Sequence, residues 1–244
     1  MANTKDHVSY YYIPADPNFT FKQEWLESCI ERSRQFSYEL TNSLSKDPTQ
    51  PFSIVGEWYD LEQQEQFTAS ELITHFDHDE NDQLITYSAT EIASMCEDVT
   101  GIKSDVVFNE IEKHLPKVGR LLIAYMLNGS AHHFHSQIRN DGGAGYRDSK
   151  TVTIVIPTKR VEDTVDLLNF EYQEFTDQES ANINLPILQM LYSPYDIVQN
   201  TDNIVSVELP TMDQYLVVQF NSTKCLHWVN SGTRNQYLCI VAEI

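Results

Sequence analysis

An α+β fold is what the sequence predicts: a double-stranded β-helix, or jelly roll, with N-terminal helices packed on one of its sheets. Three observations predict it. The chain of 244 residues changes character near residue 118. Before that point its apolar residues recur near a 3.6-residue period, the mark of amphipathic helices. After it come seven short runs rich in Val, Ile, Thr and Tyr, bounded by Pro, Gly, Asn and Asp, with no convincing helical pattern between them. Helices first and then many strands argue for a sheet sandwich with helices layered on one side. The expected division is 1–117, mainly helical, and 118–244, the jelly-roll core.

Each element has its own signal. "FKQEWLESCIERSRQFSYELTNSL" (21–44) carries Phe21, Trp25, Cys29 and Ile30, then Phe36, Leu40 and Leu44, near helical spacing. "SATEIASMC" offers Ser88 or Thr90 as an N-cap. "SDVVFNEIEKHL" (104–115) starts on Ser104, and Pro116 follows its end. The strand runs are 120–127, 151–158, 167–175, 203–209, 214–220, 224–229 and 234–244.

Composition narrows the function classes. At this length about 70–75% of the unfolded surface can be buried, so a substantial core is available. Asp plus Glu outnumber Lys plus Arg by 36 to 16, a formal charge of −20. Such a surface repels phosphate backbones, so no nucleic-acid partner is expected; solubility is the simpler meaning of the charge. No apolar run approaches the ~20 residues of a membrane span, and no membrane partner is expected. The N-terminus lacks the basic and apolar regions of a secretory signal. Cys29, Cys96, Cys225 and Cys239 form no CxxC pair and read as reduced, mostly buried thiols, so a cytoplasmic location is expected.

Two stretches carry candidate chemistry. In "NGSAHHFHSQIRNDGGAGYR" (128–147), His132, His133 and His135 fall within four residues, before a Gly-rich loop. A lone histidine is more often a satisfied core or surface residue; three at a strand end point toward metal ligation. Residues two apart on a strand share a face, and a second histidine from a distant strand would complete a facial triad with open positions on iron(II). His227, in "LHWVNSGTR" near the C-terminus, is that distant histidine. The turn "NSG" (230–232) suits a tight hairpin, and Arg234 beyond it can hold a carboxylate by a bidentate pair.

Those residues carry a family resemblance. "TMDQYLVVQFNSTKCLHWVNSGTRNQYLCIVAEI" resembles the C-terminal half of the iron(II)/2-oxoglutarate-dependent oxygenases, especially their prolyl-hydroxylase-like branch, through Phe220, His227-Trp228-Val229 and Gly232-Thr233-Arg234. Upstream, "LLIAYMLNGSAHHFHSQ" and "TVTIVIPT" resemble the strands around the family's first histidine, so the resemblance spans roughly 118–244. It implies an oxidoreductase, a dioxygenase hydroxylating an unactivated C–H bond of an amino acid, peptide or small metabolite. The cofactors implied are Fe(II), 2-oxoglutarate and O2, with ascorbate as an accompanying reductant. By the same resemblance His135 and His227 bind iron. Arg234 binds the distal carboxylate of 2-oxoglutarate, with Tyr125 and Thr153 as helpers. Tyr146, Arg147 and Trp228, placed by position at the mouth, are candidate substrate contacts.

One position departs from the family. Two residues after the first histidine stands Gln137, where the family has Asp or Glu. Three readings of Gln137 stand side by side: an amide ligand, the gap that halogenases leave for chloride, or the sign of a three-histidine site with His133. Asp141 is an alternative carboxylate, and a degenerate, non-catalytic jelly-roll module is the remaining reading. Separately, "FDHDENDQLI" resembles an EF-hand calcium loop over 77–88, with Asp77, Asp79 and Asn81 in the first ligand positions. Asp82 replaces the turn glycine and Ser88 the bidentate Glu, which weakens calcium binding; an acidic solvated loop is the simpler reading.

Overall fold

A computed structural model describes residues 3–5, 7–28, 86–126, 150–161, 164–172, 204–221, 225–230 and 235–244. The architecture is α+β, with mostly antiparallel sheets and few helices. The strands are β1 (Asn3–Lys5), β2 (Val8–Pro14), β3 (Arg120–Met126), β4 (Lys150–Lys159), β5 (Leu167–Tyr172), β6 (Ile204–Glu208), β7 (Gln214–Asn221), β8 (Cys225–Asn230) and β9 (Gln236–Glu243). The larger sheet has the order β1-β2-β7-β4-β9-β3; the smaller has β6-β5-β8. All seven strand runs expected after residue 118 are strands here. Val8–Pro14 is an added one, which the helical reading of the N-terminal part does not contain. It pairs with β7 along its whole length, from Val8↔Phe220 to Pro14↔Gln214.

Two helices are labelled α1 (Ala89–Thr100) and α2 (Asp105–His114), and 23–28 is also helical. Ser88 caps α1 in a full capping box: its hydroxyl accepts from Glu91 N, and the Glu91 carboxylate accepts from Ser88 N. The helix ends on Gly101 at φ 71°, a left-handed position where a Cβ would meet Lys22 Cγ at 2.5 Å. Ser104 caps α2, and its hydroxyl donates to Asp16, tying the helix start to the chain just after β2.

The sheet alternation builds two separate cores. Val152, Ile154 and Ile156 of β4 pack with Leu121, Ile123, Val217, Leu238 and Ile240 against Trp25, Ile92, Phe108 and Ile111 of the helical layer. Their odd-numbered neighbour Val155 joins Leu216, Val218, Phe220 and Cys239, which pack on Leu168, Phe170 and Cys225 of the smaller sheet. β4 is thus buried on both faces over 151–157, as a central strand covered by helices on one side and strands on the other must be.

A polar clasp joins α2 to β2. Tyr11 Oη donates to Glu110 Oε2 at 2.5 Å, so its second 2.5 Å contact, to His114 Nε2, is satisfied by the ring N–H donating to the phenol oxygen. Lys113 Nζ also donates to Tyr11 Oη, at 3.3 Å, and lies 5.1 Å from the ring centroid. Lys150 of β4 donates to the His114 carbonyl. Burial, with help from the Lys113 charge and against that of Glu110, holds the His114 imidazole below its usual 6.5. Burial raises the Glu110 carboxyl, but hydrogen bonds from Tyr11 and Lys113 outweigh it and leave the group below its usual value.

Two outcomes are expected. Ile154→Ala, in the middle of β4, should lower unfolding free energy by about 2–5 kcal/mol in urea titrations. Because His114 binds a proton less readily when folded, its share of stability is complete above pH 6.5 and is lost as pH falls below it. The urea midpoint of wild type should therefore fall more steeply than that of His114→Gln between pH 6.5 and 5; parallel curves would contradict this.

Candidate functional site

His227 is the predicted site residue that the structure describes most fully. It lies in β8, opposite Phe170 of β5, and it alternates with Cys225, a member of the inter-sheet core. Its ring therefore faces the space between the sheets. There it stacks on Phe170 at 5.9 Å and 26°, and meets Phe220 of β7 edge-on at 4.9 Å and 61°. The ring is half-buried. Its Nδ1 lies 3.3 Å from the Cys225 carbonyl, a long hydrogen bond from the ring N–H. That bond selects the tautomer in which Nε2 carries the lone pair, the arrangement of a metal-ligating histidine.

The register places the surroundings of this ring. Phe220 pairs with Thr151 of β4, and Thr151 pairs with Glu243 of β9. The next rung on the same face holds Val218, Thr153 and Val241. Thr151, Thr153 and Glu243 are all buried, so this end of the interior carries polar groups. His7 stacks on Tyr172 at 3.5 Å, joining the N-terminal strands to the smaller sheet one rung from His227.

The opposite end of the face is fixed by a buried carboxylate. Asp166 Oδ2 accepts from Asn235 Nδ2 at 3.0 Å and from Tyr237 Oη at 2.5 Å. Asn235 in turn accepts from Val161 N at 2.9 Å. Burial and the Asp166 contact push the Tyr237 phenol up, so it stays a proton donor. Asn235 directly follows Arg234 in the sequence, so this network anchors the strand just beyond the predicted carboxylate clamp.

Other predicted residues are only partly placed. Thr153 shares the inter-sheet face with His227. Tyr125 sits in β3 at the rung of Leu238, a residue of the helix-facing core, so its register position is on the other face of the sheet from Thr153. Trp228 lies in β8 opposite Asn169. His133, His135, Gln137, Asp141, Tyr146, Arg147 and Arg234 lie outside the described residues, as do Asp77, Asp79 and Asn81 of the calcium-loop reading. Among the described residues no three His, Cys, Asp or Glu side chains converge as a metal site, and no helix is long and apolar enough to cross a membrane. Thr151 escaped the sequence reading, although it stands two residues before Thr153 in "TVTIVIPT" and alternation alone puts the two on one face.

Compared with known proteins, the chain matches no family model, and no curated protein sequence matches it significantly.

The thiols near this interior are held inert by their setting. Burial pushes Cys225 up to about 11, and Cys96, in the helix-facing core, up to about 12. Both should resist iodoacetamide at pH 8 in the native protein and react after unfolding in urea, read by peptide mass mapping. Alkylation of native Cys225 at the rate of a free thiol would show that the space beside His227 is open to solvent.

Proposed function

We propose that the chain is an iron(II)- and 2-oxoglutarate-dependent dioxygenase that hydroxylates an unactivated C–H bond of an amino acid, a peptide or a small metabolite. The observation that supports the reading is the His227 ring: it faces a largely apolar interior between two sheets, with Nδ1 turned to a backbone carbonyl. An imidazole oriented by a backbone acceptor is a common ligand of iron(II), and the partners the reading gives it, His135 and Gln137, lie outside the described residues.

The strand order supports the jelly-roll form of this reading. The larger sheet contains β3-β9-β4-β7 and the smaller β8-β5-β6. Consecutive strands cross between the sheets as in a double Greek key, in which an eight-stranded jelly roll interleaves 1-8-3-6 with 2-7-4-5. With β3 taken as its first strand, the second would come from 127–149, the stretch holding His133, His135 and Gln137.

Within that reading each residue has a task. His227 and His135 would hold the metal, with the Gln137 amide or a neighbouring group as the third ligand. Arg234, two residues before β9 in the sequence, would hold the far carboxylate of 2-oxoglutarate by a bidentate pair. The inter-sheet face of β9 carries Tyr237, Cys239 and Val241. Thr153 would contribute a hydroxyl from β4. Phe170 and Phe220 would exclude water around the ligating ring. Bound iron supplies the activation of dioxygen, coupled to decarboxylation of the oxo acid. The neutral Gln137 favours one variant chemistry, halogenation with chloride beside the metal, which chloride-dependent turnover would reveal.

Anaerobically purified protein should take up about one equivalent of iron(II). With oxygen and 2-oxoglutarate it should release succinate, and His227→Ala should lose both properties while keeping its circular dichroism. No 2-oxoglutarate binding, together with unchanged metal content in His227→Ala, would leave a non-catalytic sandwich module as the better description.

A further inference from the structure

The turn between β1 and β2 holds a strained residue. His7 has φ 74°, a left-handed conformation uncommon outside glycine, although histidine enters it more readily than most. Such backbone persists where its surroundings hold it, and it gathers at clamps and switches. What holds it here is a ring stack: the His7 imidazole lies flat on the Tyr172 phenol, with 3.5 Å between centroids and 11° between planes. The stack joins the larger sheet to the smaller at the boundary of their shared interior, since His7 is exposed while Tyr172 is half-buried and packs on the inter-sheet core. Directly inside lie Cys225, paired with Tyr172, and the rung of Val8, Phe220 and Thr151. Cys225 and Thr151 are each 1% exposed, and Thr151 Oγ1 has no hydrogen-bond partner, which is rare for a buried hydroxyl. Toward the other end of β2, the Tyr12 hydroxyl donates to the Glu208 carbonyl at 2.7 Å and ties the strand to β6.

We propose that the His7–Tyr172 stack is a latch: the β1–β2 turn swings off Tyr172 and admits small polar solutes to the interior beside Cys225 and Thr151. The inference goes beyond the oxygenase reading, since it needs neither iron nor an oxo acid. Three features fit a latch better than a fixed strut. The strain of a left-handed residue works against the closed turn and is relieved on opening. The stack is one ring pair at the surface, a small attachment beside the pairing of β2 with β7. That pairing and the Tyr12 tie keep β2 in place when the turn moves. A solute with an acceptor oxygen that enters there can take the hydrogen bond that the Thr151 hydroxyl has to give.

Iodoacetamide, itself a small polar solute, is the probe and Cys225 its target, with buried Cys96 of the helix-facing core as internal standard. His7→Asn keeps a residue that tolerates the left-handed turn and removes the ring; Tyr172→Leu removes the other ring. Each should raise the alkylation rate of native Cys225 about fivefold or more, read by peptide mass mapping, with Cys96 unchanged. In the double variant the two increases should not multiply, because either change alone breaks the stack. An unchanged Cys225 rate in either single variant would overturn the proposal. So would Cys96 reacting in step with Cys225, the sign of global unfolding. Wild-type Cys225 reacting as fast as a free thiol would overturn it too, because the interior would then stand open with the stack in place. The reagent needs no iron, so each of these outcomes leaves the oxygenase reading to its own test.

Discussion

The double burial of β4 is the constraint on which the rest depends. A strand hydrogen-bonded on both edges, to β7 and to β9, has no freedom to slide. A slip of one residue would exchange Val152, Ile154 and Ile156 with Thr151, Thr153 and Val155. Hydroxyls would then face the helices, and branched hydrocarbon would fill the space beside His227. The two faces are not interchangeable: one is wholly aliphatic, and the other mixes threonine with valine. This asymmetry gives one strand an aliphatic packing layer on one side and a mixed interior on the other.

The interior it borders is built around aromatic rings. Phe170 and Phe220 lie 5.0 Å apart and hold the His227 imidazole between sheets. The backbone carbonyl of Cys225 accepts from the ring's Nδ1. The same setting explains the inert thiol of Cys225 on the neighbouring rung. Packing and proton affinity are here one design: removing an aromatic wall would alter both.

Much of this was legible in the sequence, and the remainder was hidden for definable reasons. Strand runs such as "TVTIVIPT" announced themselves through β-branched residues and bounding turn residues. Ser88 and Ser104 did the same for the helix starts, with Glu91 completing the first cap. β2 was not legible: "VSYYYIP" shows no clean alternation, because tyrosines are half-buried on either face. Its partner is also far away in sequence. At the site, the hairpin logic singled out His227 from local spacing alone. Tyr125 came from the family resemblance, and its rung in β3, opposite Leu238, is set by tertiary pairing that no local pattern announces. Thr151 was visible as a strand residue, but a missing hydrogen bond exists only in three dimensions.

The pairing of β2 with β7 also bears on how the chain is made. Val8 and Phe220 pair although most of the sequence lies between them. Until β7 has been made, the three tyrosines of β2 lack that strand to pair with. Non-local pairing of this kind delays closure and exposes strand edges in the meantime. The pairing of β2 is thus a long-range stitch in the sheet, one that cannot be made before β7 exists.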